Sequence, residues 1–208
     1  MLTNNNNPSH IYIYIYIYQA GWTSTSSLIN GDRVTPGDMK ALIHQTIDYE
    51  KTKTQLLCVF KRPPAKTTNN NTTEREEYDE VVIGTYLIKG GGIKFPATAR
   101  RTDHSKNEIF GNECYFGLYS ILPIYQSQGL GGKLQHAACL YARDILGYKS
   151  AIVWAFEART PKLLAWYRKT GWQIIGTMEH PKPHILKDKS ARYLLFKQDL
   201  TLIRKSLL

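Results

Sequence analysis

Apolar residues recur along this chain with two periods, and the change from one to the other marks its elements. Met39, Leu42, Ile43 and Ile47 share a helical face. Thr35-Pro36 opens that helix with a hydroxyl N-cap and a proline at the first helical position, so a helix is predicted to about Tyr49. Leu56 to Phe60 and Val81 to Ile88 are short apolar runs that read as strands. Tyr115 to Leu122 is a third, ended by Pro123. From Gly129 to Leu146 the period is helical again, with Leu130, Leu134, Ala137, Ala138, Tyr141 and Ile145 in the stripe and Gly147 as the stop. Ala151 to Phe156 reads as a buried strand. Thr160-Pro161 opens another helix through Lys169, which Gly171 stops. Trp172 to Thr177 and Ala191 to Lys197 read as the last strands. The order strand, strand, strand, helix, strand, helix, strand, strand predicts an α/β fold, a mixed central sheet flanked by helices.

Two stretches between these elements lack a periodic apolar face. Residues 62–79 carry Pro, Asn, Thr and charge, and residues 89–112 are Gly-rich and polar with Ile93 and Phe95 as anchors. Both read as loop insertions. The start differs again. Four Asn precede four Ile-Tyr dipeptides, Ile11 to Tyr18. As a strand, the repeat puts every Ile on one face and every Tyr on the other; a TA-dinucleotide repeat read as coding sequence gives the same pattern. Residues 1–20 are therefore set apart as a low-complexity segment, and residues 21–208 read as a single domain.

The 208 residues and 42% hydrophobic content suit one globular unit. No apolar run reaches the roughly 20 residues of a membrane helix. MLTNNNNPSH has neither a basic nor an apolar signal region. Three cysteines without CxxC spacing argue against a disulfide framework or a structural zinc site, and the expected compartment is the cytoplasm, with the nucleus as alternative. Net charge is +10, and it is uneven: residues 1–112 hold 13 basic against 11 acidic residues, residues 113–208 hold 14 against 6. The basic second half suits an anionic ligand. A nucleic-acid or ribosome-binding module is a competing reading, but clustered Arg and stacking-aromatic repeats are missing.

The densest chemical signal is Gln126-Ser127-Gln128-Gly129-Leu130-Gly131-Gly132-Lys133, between a strand and a helix. A helix N-terminus offers unpaired amides and the positive end of its dipole, and glycines let an anion close to the backbone. Residues 128 to 132 would bind a diphosphate, with Lys133 adding charge. It is not a P-loop, since Gly-Lys-Leu lacks the magnesium-binding hydroxyl. Nor is it a dinucleotide fingerprint, which needs GxGxxG after the first strand of a βαβ unit.

The run YFGLYSILPIYQSQGLGGKL resembles motif A of the GNAT N-acetyltransferase superfamily, Q/R-x-x-G-x-G/A. Thr160 to Trp172, TPKLLAWYRKTGW, resembles a later element of that family, N-x-x-A-x-x-(L/F)-Y-x-x-x-G-(F/W/Y), with Thr160 in place of Asn. The likeness is good over residues 114–177 and looser at 21–43. It implies a GNAT-like acyl-CoA N-acyltransferase fold with an atypical first strand and helix. It also implies acetyl-CoA as co-substrate, with no metal, and an amine acceptor from a small molecule or peptide attacking the thioester in a ternary complex. The cofactor set it implies is Tyr119, Ser120 and Ile121, pairing by backbone with the pantetheine, then Ser127, Gln128, Gly129, Leu130, Gly131, Gly132 and Lys133 around the diphosphate, and Thr160. Tyr167 takes the place of the general acid that protonates the departing thiolate.

A base must neutralise the attacking amine. At pH 7 that costs about 4.6 kcal/mol for a lysine-like amine and about 1 kcal/mol for an α-amine. Glu113, at the start of the motif A strand, is the candidate, with a water wire as the alternative. The other readings are a CoA-binding pseudoenzyme or an inactive truncated product.

Overall fold

The computed structural model describes residue 30 and residues 36–47, 49–61, 81–103, 108–158 and 161–205. The Ile-Tyr repeat, the insertion at 62–79 and Thr160 lie outside the described residues. Helix α1 spans Pro36–Ile47 and a single turn, α2, spans Tyr49–Thr52. Strands β1 (Thr54–Lys61) and β2 (Val81–Gly90) follow, then three two-residue strands, β3 (Ile93–Lys94), β4 (Arg100–Arg101) and β5 (Glu108–Ile109). The motif A strand is β6 (Glu113–Ile121), followed by helix α3 (Leu130–Asp144), β7 (Ser150–Phe156), α4 (Pro161–Lys169), β8 (Gln173–Glu179) and β9 (Arg192–Asp199). Boundaries predicted from the apolar periods differ from these by a few residues. The Gly147 and Gly171 stops both take positive φ, 77° and 92°, which a Cβ-bearing residue adopts only with strain.

Seven strands form one mixed sheet in the order β1-β2-β6-β7-β9-β8-β4, while β3 and β5 pair separately. Among the described residues only β6 and β7 pair in parallel; the other pairs are antiparallel. Strand alternation divides the side chains between two cores. Cys114 and Phe116 of β6, Ala151 and Val153 of β7, and Leu194 and Phe196 of β9 face α3 and α4, with Leu134, Ala138 and Trp172 between. On the opposite face Ile152, Ile175, Met178, Tyr193 and Leu195 form the second core. Burial on both faces explains why AIVWAF and YLLF read as unbroken apolar runs.

The second face shows what patterning missed. Residues 91–103 and 108–112 form a strap rather than a surface loop. Phe95 and Ile93 anchor it as expected, but Ala99 and Ile109 are buried too, at 2% and 0% exposure. The strap leaves β2, crosses beneath the sheet and pairs through β4 with β8, Arg100 opposite Thr177 and Arg101 opposite Gly176, so that β4 becomes the far edge. Gly176 admits it: a Cβ there would lie 1.9 Å from the Arg100 carbonyl oxygen, and φ is +153°. Few apolar residues and no period are visible in the strap because its buried side chains pack on residues distant in the chain.

Candidate active site

Strands β6 and β7 pair only at Glu113–Ser150, Cys114–Ala151 and Tyr115–Ile152. Both strands continue, to Ile121 and Phe156, so beyond Tyr115 they diverge and leave a V-shaped gap with backbone unpaired on its inner sides. The divergence has a local cause. Leu118 takes a positive φ of 43° and the β2–β6 register shifts between Thr85 and Leu87, a bulge that bends β6. A non-glycine residue in that conformation costs about 1–2 kcal/mol. The side chain of Thr85 holds the bulge: its hydroxyl donates to the Leu118 carbonyl at 3.1 Å and lies 2.8 Å from the Ser120 hydroxyl. With its single proton on the carbonyl, Thr85 accepts from Ser120. The Ser120 hydroxyl is thus used inside the sheet, and Ser120 has only its backbone to offer the gap.

Beyond β6 the chain turns through a 3₁₀ turn, Pro123–Tyr125, into α3. Gln126 Nε2 donates to the Ile121 carbonyl at 2.8 Å and Gln128 Nε2 to the Ile124 carbonyl at 3.1 Å, so both motif glutamines brace the turn. Ser127 has φ 61° and Gly129, at the N-cap of α3, has φ 76°. No side chain caps α3. The first helical bond at this end is Lys133 N to Gly129 O at 3.2 Å, which leaves the amides of Leu130, Gly131 and Gly132 without intrahelical acceptors. An ideal Cβ at Gly129 or Gly132 would meet no atom within 4 Å. The approach to these amides is open, as an anion at a helix start requires. Lys133 is exposed beside them.

Gly131 is different. A Cβ there would stand 2.2 Å from the Tyr119 hydroxyl. The missing side chain makes room for a phenol of this chain, not for a ligand. Tyr119 leans from β6 across to α4, its ring stacked on Trp166 at 5.7 Å and 7°. Tyr86 lies against it at 4.8 Å. Tyr167, on the same helix as Trp166, is 3% exposed, stacked on Phe196 at 5.1 Å and edge-on to Trp172 at 5.8 Å. The phenols of Tyr86, Tyr119 and Tyr167 lie near enough to act on one another. Burial, and then the field of Tyr167, push the Tyr119 and Tyr86 hydroxyls above the ordinary tyrosine range. They stay protonated at neutral pH, as hydrogen-bond donors.

The fold therefore gathers Tyr119, Ser120, Ile121, residues 127–133 and Tyr167 at one end of the sheet. Glu113 is not among them. It opens β6 at the opposite end, about 25 Å from Ile121 by strand rise. There its carboxylate is 2.6 Å from Lys197 and 3.4 Å from Arg101. Arg101, whose side chain is 1% exposed, also bonds Asp103 at 2.8 Å. This four-charge cluster ties the strap to the sheet, a role the sequence order of these residues does not suggest. Glu157 stands at the gap end of β7, but Arg192 holds it, and that hydrogen bond lowers its pKa and makes it a weak base. Burial also pushes the thiols up, Cys58 to about 11 and Cys139 to about 12, which keeps them protonated at neutral pH. Among the described residues no group of three or more His, Cys, Asp or Glu could hold a metal.

A parallel pair splayed by a bulge, with an uncapped glycine-lined helix start after the first strand, defines the GNAT acyl-CoA N-acyltransferase fold, and this chain has that fold. Solved structures bear this out. The chain matches the Vibrio cholerae spermidine N-acetyltransferase in complex with CoA and spermine at TM-score 0.59 and 12% identity, covering 94% of this chain and 92% of that one. A protein described as an acetyltransferase of the GNAT family, from Desulfovibrio desulfuricans, matches at TM-score 0.57 and 10% identity, over 93% and 94%. The PaiA N-acetyltransferase of Thermoplasma acidophilum, solved with coenzyme A, matches at 0.54 and 10%, over 92% and 93%. No protein-family model matches the chain, and no curated protein matches it.

Proposed function

We infer that this chain is an acetyl-CoA-dependent N-acetyltransferase that moves an acetyl group to an amine of a small molecule or peptide. One observation carries the reading: the open, uncapped start of α3 beside the gap between β6 and β7. The free amides of residues 130–132 and Lys133 hold the diphosphate, and the inner backbone of Tyr119 to Ile121 takes the pantetheine as an added strand. Acetyl-CoA supplies the activated acyl group. Fixing donor and acceptor together in the gap accounts for much of the acceleration. Tyr167, inside the aromatic cluster, provides the proton for the leaving sulfur. The acceptor deprotonates through water, because the described carboxylates near the gap offer no unpaired base; an amine of pKa near 7.7 then costs only about 1 kcal/mol at pH 7.

The distant position of Glu113 also favours a second reading, a protein that binds CoA without turnover. One experiment separates the two. Purified protein is titrated with CoA by calorimetry, and acetyl-CoA turnover over an amine panel is followed by thiol release, for wild type and Tyr167→Phe. The transferase reading expects CoA heat in both proteins and a turnover loss of about 10²–10⁴ in the variant. CoA binding without turnover on any amine supports the second reading. No heat with folded wild type overturns both.

A further inference from the structure

On the α3–α4 side, the rings of Tyr119, Trp166 and Tyr167 pack against one another over the gap between β6 and β7. An acceptor has the opposite face for its approach. There Tyr115 and Trp154, both half-buried, stack at 4.0 Å and 25° where the two strands part. A Cβ on Gly117 would lie 2.6 Å from the Tyr115 ring, so that ring runs along β6 toward the gap. Phe156 ends β7 two residues past Trp154, about 7 Å on by strand rise. The ring of His180 stacks on Phe156 at 5.6 Å and on Tyr193 at 5.3 Å. A row of rings thus leads from the crotch of the gap to the turn between β8 and β9.

That turn, residues 180–191, is held against the same face by Leu186 and Ala191, which are buried in the second core. It carries Lys182, Lys187 and Lys189 against one acid, Asp188, whose carboxylate accepts from the Ser190 amide and hydroxyl at 2.9 and 2.6 Å. Lys182 and Lys189 are exposed and pair with no carboxylate among the described residues. Glu157, past the end of β7, is held by Arg192. Glu179 alternates with Met178 of the second core and so lies on the other face. His180 Nδ1 accepts from the Lys182 amide at 2.9 Å; the neutral ring therefore keeps its proton on Nε2 and has no lone pair left to act as a base. The approach is cationic, and among the described residues it offers no unpaired carboxylate.

We propose that the acceptor is the free N-terminus of an acidic peptide, whose α-amine enters the gap over Tyr115 and Trp154 while carboxylates at its third and fourth residues meet Lys182 and Lys189. This deepens the transferase reading and rests on it. An α-amine suits a gap without a carboxylate base, because at a pKa near 7.7 part of it is neutral at pH 7. A polyamine needs a base and meets like charge on the turn. A free amino acid holds both its charges within one residue's rise, whereas three extended residues cover about 10 Å, the span from the crotch to the turn.

The test is thiol release from acetyl-CoA by the full chain with C-terminally amidated Ala-Ala-Asp-Glu, Ala-Ala-Ser-Ser and Ala-Ala-Arg-Arg, and with free glutamate and spermidine. The acidic peptide should give the highest kcat/KM, about tenfold above the Ser-Ser peptide, and the preference should narrow as salt rises. Lys182→Glu with Lys189→Glu should raise KM for the acidic peptide about tenfold and turn the preference toward the Arg-Arg peptide. CoA calorimetry on that variant shows whether it is folded, which separates lost recognition from misfolding. Turnover highest on spermidine or the Arg-Arg peptide, glutamate used as well as the acidic peptide, or a preference unmoved in the folded variant overturns this proposal and leaves the transferase reading in place. CoA heat without turnover of any acceptor overturns the transferase reading and this proposal with it.

Discussion

Substituting Gly131 by alanine tests whether the second motif glycine serves the ligand or a neighbouring phenol. The new Cβ would stand 2.2 Å from the Tyr119 hydroxyl oxygen but 3.4 Å from the ring carbon that bears it. The first distance is impossible and the second is ordinary contact. Gly131→Ala alone must therefore push Tyr119 off its stack on Trp166. Overpacking of this kind costs about 1–3 kcal/mol, against a gain of up to about 1 kcal/mol from replacing a helical glycine. Tyr119→Phe removes the oxygen and the clash with it. In the double variant only the helical gain remains, so the two changes are coupled by about 1–3 kcal/mol in the favourable direction. Urea denaturation of the wild type, both singles and the double gives that coupling, and CoA calorimetry on the same four proteins shows whether the cradle amides survive. Additive stabilities would refute the packing account and return Gly131 to a ligand role.

Other expectations follow from the same geometry. Gly176→Ala should unlatch the strap, because its Cβ would meet the Arg100 carbonyl at 1.9 Å and backbone cannot step aside cheaply; a loss of about 3 kcal/mol and new protease cuts within 91–112 are expected, and an unchanged melting temperature would exclude it. Glu113→Gln should lower stability by breaking the pairs with Lys197 and Arg101, in the direction known for buried ion clusters, while leaving the pH profile of turnover unmoved; a shifted profile would restore Glu113 as the base. Burial lowers the pKa of Lys197, but the bonds to Glu113 and Asp103 outweigh it and hold the group above the ordinary lysine value of 10.5. Because the folded value is the higher, this stabilisation is complete below the unfolded pKa and fades as pH rises through the folded one. Thermal melts followed upward from about pH 10.4 should therefore fall more steeply for wild type than for Lys197→Met, and parallel curves would remove the linkage.

Most elements and the open helix start at Gly129 were legible in the sequence because their causes are local. Pro36 and Pro161 fix φ where a helix begins; Gly129, Gly147 and Gly171 accept positive φ where turns and stops require it. Alternation told strand from helix, and the motif told which helix start stays uncapped. The chain order could not say that β6 and β7 part after Tyr115, that Tyr119 fills the space above Gly131, that the strap runs beneath the sheet, or that Glu113 ends up in an ion cluster far from the gap. Each of those depends on residues distant in the chain meeting in space. Local sequence sets backbone angles and the face on which a side chain lies; only close packing of the whole molecule decides what that side chain meets.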